Sequence, residues 1–207
     1  MTRIKCCGMT RVGDALLAAR LGADAVGLVF TARSKRQVTL ARAREIVAAL
    51  PPFVATVALF MDDDAAQVRQ VLDDVRPTLL QFHGDENDDW CSQFDHPFLK
   101  AIAMGQGAAA LSRLHDFPHA AGLLLDGHAA GEAGGSGKVF DWSLLPDSLA
   151  QPVVLAGGLH AGNVGAAVRT VRPWAVDVAS GVESAPGIKD PDKLEAFIRA
   201  VRAADRE

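Results

Sequence analysis

The sequence has no apolar run long enough to cross a bilayer. The longest, such as Val54 to Met61, falls far short of the roughly 20 residues a spanning helix needs. Cysteine is scarce: Cys6, Cys7 and Cys91 are an odd number in no spacing framework, which argues against a disulfide-stapled secreted scaffold. Cys6 and Cys7 are adjacent rather than C-x-x-C, so redox and zinc uses are poor alternatives for them. No signal-peptide core follows the first methionine, because Arg3 and Lys5 give way at once to Gly8 and Thr10. An excess of basic residues is also missing. With 21 Lys and Arg against 25 Asp and Glu, the net charge is −4, which argues against nucleic acid as a main partner. There is no G-x-S-x-G, no G-x-G-x-x-G, and no His/Cys/Asp/Glu cluster at metal-ligand spacing. The expectation is a cytoplasmic protein with no metal, no organic cofactor and no membrane partner.

What the sequence does have is core material and a rhythm. It is 49% hydrophobic and 22% charged over 207 residues, with a mean hydropathy of +0.14, enough for one large core. Short β-rich runs begin near Arg3, Ala25, Val54, Thr78, Phe98, Gly122, Pro152 and Ala175. Amphipathic stretches separate them: Val12–Leu21, Leu40–Leu50, Ala65–Val75, Glu86–Phe94, Ala108–Asp116, Ala161–Val171 and Asp192–Ala203. The sixth helix is weak, replaced by a Gly/Ala-rich loop to Lys138 and a short candidate near Asp141–Leu145. Unbroken βα alternation implies parallel strands with helical crossovers. Eight repeats in this length favour a single-domain (β/α)8 TIM barrel over residues 1–207; an open doubly wound sheet is the alternative, since periodicity does not show closure.

In such a barrel the chemistry gathers where strands stop. Side chains alternate along the first strand, so Lys5 and Cys7 face the interior while Ile4 and Cys6 face the helices. Cys7 at the mouth is either a reactive group or a small buried hydrophobe. Gln81 and His83 end the fourth strand facing inward; His83 is a site residue or a satisfied core histidine. Gly122 to Asp126 is an apolar strand closed by one carboxylate. Burial there would raise its pKa and keep it a proton donor near neutral pH, though Asp also caps turns. The loop Gly131 to Lys138 resembles a P-loop but fails it, with Glu132 at the first glycine position and Val139 after the lysine. It reads as a flexible active-site loop.

The strongest signal is at strands seven and eight. Leu155-Ala156-Gly157-Gly158-Leu159 and Asp177 through Ser180-Gly181-Val182-Glu183 put paired small residues at both strand ends, the second opening a short extra helix. Glycines let backbone N–H groups close on an anion, and this is where the fold recurrently binds phosphate. Gly157, Gly158, Ser180 and Gly181 are the candidate cradle. Asp62-Asp63-Asp64, Asp88 and Asp89 read as solvated helix starts and faces.

These motifs together resemble one family. Lys5-Cys6-Cys7-Gly8-Met9-Thr10 is similar to the K-x-C-G-x-T start of the phosphoribosylanthranilate isomerases. The likeness continues through Gly27-Leu28-Val29-Phe30, Ser34-Lys35-Arg36, Gln81-Phe82-His83-Gly84, Leu124-Leu125-Asp126 and Gly134-Gly135-Ser136-Gly137. It then runs through Phe140-Asp141-Trp142, Leu155 to Leu159, Asp177 to Glu183, and Gly187-Ile188-Lys189-Asp190. The resemblance implies an Amadori rearrangement of N-(5-phosphoribosyl)anthranilate, a phosphorylated small molecule, in tryptophan biosynthesis. It implies Asp126 as general acid, Cys7 as general base, and Arg36 at the anthranilate carboxylate. Gly157, Gly158, Ser180 and Gly181 match the phosphate cradle, and Lys5, His83 and Asp177 the pocket interior. A thiol is weakly ionised at neutral pH, so Cys7 needs help to be a base, and Lys5 on its strand face is a candidate. Cys6 for an aliphatic residue, Lys35 for proline and His160-Ala161-Gly162 are departures that remove no catalytic group. The alternatives are a histidine-pathway aminoaldose isomerase, a binding barrel without catalysis, and a thiol redox protein. The quaternary expectation is a monomer or homodimer.

Overall fold

The computed structural model describes residues 1–127, 139–146 and 149–207. Eight strands close into a parallel barrel in sequential order: β1 (Arg3–Cys6), β2 (Ala25–Val29), β3 (Ala55–Phe60), β4 (Leu79–Phe82), β5 (Phe98–Ala103), β6 (Gly122–Asp126), β7 (Val153–Leu155) and β8 (Ala175–Val178). Closure is made by β8 against β1, with Lys5 opposite Asp177 and Cys6 opposite Val178. The open-sheet alternative therefore falls. The helices outside are α1 (Val12–Leu21), α2 (Leu40–Ala49), α3 (Ala65–Val75), α4 (Asp88–Ser92), α5 (Val164–Val171) and α6 (Pro191–Ala204). None of the described helices is long and apolar enough to cross a membrane.

Local chemistry sets the helix boundaries. Thr39, Asp64 and Asn87 each cap a helix by accepting a backbone N–H from the first turn. Asp190 caps α6, whose first residue is Pro191, where a missing N–H costs nothing. Each helix turns an apolar stripe to the sheet; in α6 that stripe is Leu194, Phe197, Ile198, Val201 and Ala204.

Four elements differ from the sequence expectation. The stretch expected as a helix from Ala108 is a 3-10 run, Met104–His115, broken at Gly107, whose φ of 62° no right-handed helix contains. The helix expected over Glu86–Phe94 shrinks to α4, because the Glu86 side chain is taken by Lys100 and by two loop N–H groups. The helix expected from Ala161 starts at Val164, after a turn in which Asn163 Oδ1 accepts the His160 N–H. After β8, a single 3-10 turn (Ser180–Val182) replaces the expected extra helix and leads into an unforeseen hairpin of β9 (Glu183–Ala185) and β10 (Ile188–Lys189). The glycine-rich loop at 131–138 lies outside the described residues.

Two packed layers result. Residues pointing outward from the strands, such as Ile4, Val26, Leu28, Phe60, Phe82 and Leu123, meet the helices in one continuous core. Inside the barrel a smaller apolar plug of Leu99, Ala101, Leu124, Val154, Ala156 and Ala175 fills one part, and Cys7, Val29 and Leu59 pack together near the mouth. The interior is thus largely filled, and apart from the Lys5–Asp177 pair one layer down its polar groups gather at the carboxyl ends of the strands.

Candidate active site

The alternation read from the sequence holds: Cys6 is fully buried in the helix-facing core, and Cys7 stands at the mouth. There Cys7, Arg36, His83, Asp126 and Asp177 line one cavity of about 520 Å3, counted to its open mouth, with Val29, Leu59 and Met61 as its apolar wall. A larger recess lies at the other end of the barrel, lined by Met1, Pro152 and Trp174, away from this cluster. Five of the ten expected site residues therefore meet in the smaller cavity; Lys5, Gly157, Gly158, Ser180 and Gly181 are not in its lining.

Lys5 lies one layer below, only 4% exposed, and its Nζ donates to Asp177 Oδ1 at 3.0 Å. Burial opposes its charge, but the Asp177 carboxylate and then Cys7 more than offset that and hold Lys5 protonated. For Cys7 the balance goes the other way. Burial pushes the thiol above its usual value, Lys5 and Lys189 pull it down, and Asp177 pushes it up. The lysine expected to favour the thiolate is in place, yet it does not overcome burial, and Cys7 of the ligand-free protein is a thiol at neutral pH. Asp177 is also pushed up, by burial first, with Lys5 pulling against it and the charge of Asp126 adding to the rise.

Room for the thiol is made by a glycine. Gly27, inside β2, lies so close to Cys7 that a Cβ there would sit 2.7 Å from its Sγ. A glycine within a strand marks such a close approach.

Across the mouth, Gln81 Nε2 donates to His83 Nδ1 at 3.1 Å. That bond puts the ring proton on Nε2, the nitrogen facing Asp126 Oδ2 at 3.7 Å. The loop carrying His83 is braced from outside the barrel. Lys100 Nζ, fully buried, donates to Gly84 O (2.6 Å) and Glu86 Oε2 (2.9 Å), and Glu86 accepts the N–H groups of Asp62 and Gly84.

Arg36 comes from the loop after β2 and meets Glu183 in a two-pronged pair, Nε to Oε1 at 2.9 Å and Nη2 to Oε2 at 2.8 Å. Among the described residues Nη1 has no partner, so one edge of the guanidinium is left for a planar anion. Glu183 Oε1 also accepts Lys189 Nζ (2.9 Å) and the Gly187 N–H (3.2 Å). Burial alone would raise Glu183, but Arg36 and Lys189 hold its carboxyl below the usual range.

Gly157 and Gly158 both take positive φ, 85° and 63°, conformations that side chains disfavour. Gly181 presses on the neighbouring loop so closely that a Cβ would overlap the Leu159 carbonyl oxygen. The loops after β7 and β8 are thereby packed together. Among the described residues the N–H groups of Gly157, Gly158, Ser180 and Gly181 donate to nothing, which leaves them for an anion.

Sequence reasoning missed Gln81 as the partner of His83, Gly27 as the space-maker for Cys7, and Glu183 with Lys189 as the support of Arg36. Glu183 and Lys189 both stood inside quoted motifs; their link to Arg36 spans 147 residues in the first case and no local pattern announces it. Asp62 proved to be more than a solvated helix start: it accepts the Asp85 N–H at 2.7 Å and joins two loops.

Comparison with known proteins places this geometry. The family model described as N-(5'phosphoribosyl)anthranilate (PRA) isomerase matches residues 4–200. N-(5'-phosphoribosyl)anthranilate isomerase of Pseudomonas paraeruginosa (strain DSM 24068 / PA7) is 54% identical over 205 residues, covering 99% of this chain and 97% of that one. Phosphoribosyl anthranilate isomerase from Thermotoga maritima superposes with a TM-score of 0.89 at 39% identity, covering 98% of this chain and all of the other. A crystal structure of such an enzyme in complex with reduced 1-(o-carboxyphenylamino)-1-deoxyribulose 5-phosphate superposes with a TM-score of 0.86 at 36% identity, over 98% of this chain and 100% of that one.

Proposed function

Since the chain belongs to the N-(5'-phosphoribosyl)anthranilate isomerase family, we propose that Cys7 and Asp126 are the general base and general acid of its reaction. The activity is the isomerisation of N-(5-phosphoribosyl)anthranilate to 1-(2-carboxyphenylamino)-1-deoxyribulose 5-phosphate, a step of tryptophan biosynthesis. The observation that carries the residue assignment is the single cavity lined by Cys7, Arg36, His83, Asp126 and Asp177.

The rearrangement is a pair of proton transfers. Asp126 protonates the ribose ring oxygen as the C1′–O bond breaks and the anilino nitrogen becomes an iminium. The Cys7 thiolate then takes the C2′ proton, and the electron pair moves into the iminium to give an enolamine. Return of a proton to C1′ and loss of the hydroxyl proton at C2′ give the ketone. The substrate's own iminium accepts the electrons, so no other electron sink is called on. Acid and base stand on β6 and just past β1, on different walls of the cavity, as a substrate bound between them requires.

Binding follows from the same geometry. The free edge of Arg36 takes the anthranilate carboxylate, and the N–H groups of Gly157, Gly158, Ser180 and Gly181 take the phosphate. Lys5, His83 and Asp177 form the interior of the substrate pocket, His83 presenting its Nε2 proton toward Asp126. A monomer or a homodimer is the quaternary state we propose, since the related Thermotoga maritima enzyme is described both as a dimer and as generated monomers. Three free thiols and a sugar-phosphate substrate suit the cytoplasm.

The test is a chelator-treated fluorescence assay in which the substrate is generated from anthranilate and phosphoribosyl pyrophosphate. Cys7→Ala and Asp126→Asn should fold and lose roughly 10²–10⁴-fold or more in turnover. Wild-type turnover by a folded Cys7→Ala protein would remove Cys7 as the base.

A further inference from the structure

The ladder between β1 and β8 stops one rung early, and a lysine fills the gap. Cys7 N–H donates to the Val178 carbonyl at 2.8 Å, so a continuing parallel ladder would next bring the Ser180 N–H to the Cys7 carbonyl. The chain turns instead at Ala179 (φ −123°, ψ −80°), and Lys189 Nζ takes the Cys7 carbonyl at 2.6 Å. The same ammonium donates to Ala179 O (3.2 Å) and Glu183 Oε1 (2.9 Å), which uses its three protons, and its side chain is fully buried. Glu183 in turn holds Arg36 by both prongs. One buried couple thus borders the base, a phosphate-cradle N–H and the carboxylate-binding arginine.

We propose that Lys189 and Glu183 are positioning residues of the active site: Lys189 fixes the backbone of Cys7 and leaves the Ser180 N–H to the phosphate, and Glu183 aims the Arg36 guanidinium. The proposal rests on the reading of Cys7 as base and Arg36 as carboxylate site. A lysine suits this place better than a neutral donor because of the charges facing the thiol. They are Lys5 of β1, Asp177 of β8, Lys189 of β10 and Arg36 of the β2 loop. Loss of Lys189 would remove one of the cations that oppose the burial of a thiolate.

Wild type, Cys7→Ala, Lys189→Met and Glu183→Gln are compared in steady-state assays. Alkylation of Cys7 by iodoacetamide is followed against pH in the ligand-free proteins, with the site assigned by mass spectrometry. Lys189→Met should lower kcat at least tenfold and move the alkylation profile upward by about one pH unit, a tenfold loss of thiolate at fixed pH. Glu183→Gln should raise KM about tenfold or more, with kcat changed less than threefold and no upward move of the profile. If Lys189→Met does not fold, the near-isosteric Glu183→Gln still decides, and an unchanged KM overturns the proposal. Parallel losses in both variants with the alkylation profile unmoved would mean a merely structural couple and would overturn it as well. An inactive Cys7→Ala beside fully active Lys189→Met and Glu183→Gln refutes the positioning roles alone; an active Cys7→Ala refutes the reading beneath them.

Discussion

Gly27→Ala adds one methyl group at the point where the structure has least room for it. The new carbon would stand 2.7 Å from Cys7 Sγ, 3.1 Å from its Cα and 3.2 Å from its Cβ. Ordinary contact begins near 3.4 Å, so the sulfur must retreat by about 0.7 Å, and the carbons by a few tenths. Displacements of about 1 Å in a reacting group cost on the order of 10²-fold in rate. Turnover of Gly27→Ala should therefore fall about 10²-fold, while KM stays within a few-fold because neither Arg36 nor the glycine cradle is touched. Overpacking should cost about 1–3 kcal/mol in stability, measurable by urea unfolding. In a Cys7→Ala background the sulfur is gone, and the same substitution should destabilise less; that difference is the coupling in a double-mutant cycle. A folded Gly27→Ala protein with wild-type turnover would refute the reasoning, since the thiol would then have no position to lose.

Two further outcomes follow from the site. Arg36→Ala should raise KM by tenfold or more with a smaller change in kcat; an unchanged KM would take Arg36 out of the carboxylate site. Burial holds the Cys7 thiol above its usual value, so its alkylation by iodoacetamide in the ligand-free protein should climb nearly tenfold per unit as pH rises from 7 toward 9. An alkylation rate that levels off at or below pH 8 would show that Lys5 and Lys189 outweigh burial at this thiol. The same shift means that the folded protein grips this proton more tightly than the unfolded chain does. Its contribution to stability is complete below the ordinary thiol value and is lost as pH rises through the folded one.

The barrel was legible because its parallel strands, covered on both faces, are short apolar runs such as Gly122-Leu123-Leu124-Leu125, each followed by a stretch of helical period. Cys7 and His83 were legible because alternation along a strand says which side chains face inward, Asp126 because it closes an apolar strand, and Asp177 only through the family resemblance. The 3-10 run was not, since the alanines after Gly107 carry a helical pattern while Gly105 and Gly107 break its frame, and backbone freedom outweighs propensity there. The partner of Arg36 was not legible either. Glu183 is an ordinary acidic residue until the loop after β2 and the hairpin after β8 are brought together by closure of the barrel. The state of Cys7 was half legible: Lys5 could be placed beside it, but the depth of burial that outweighs Lys5 is a property of the whole closed interior.

The Cys7 carbonyl and its lysine are 182 residues apart, and the bonds that seal the barrel have the same reach: Lys5 to Asp177 spans 172 residues and Thr2 to Asp205 spans 203. On a ribosome Cys7 is therefore made long before anything can hold it in place. At about 5–20 residues per second, Lys189 follows on the order of 10–40 s later. Until then β1 is an open edge with a bare thiol beside it, available to oxidants and to other nascent chains. No fragment released early can have the site, however many strands it has folded. The site is complete only once the hairpin that carries Glu183 and Lys189 has been made.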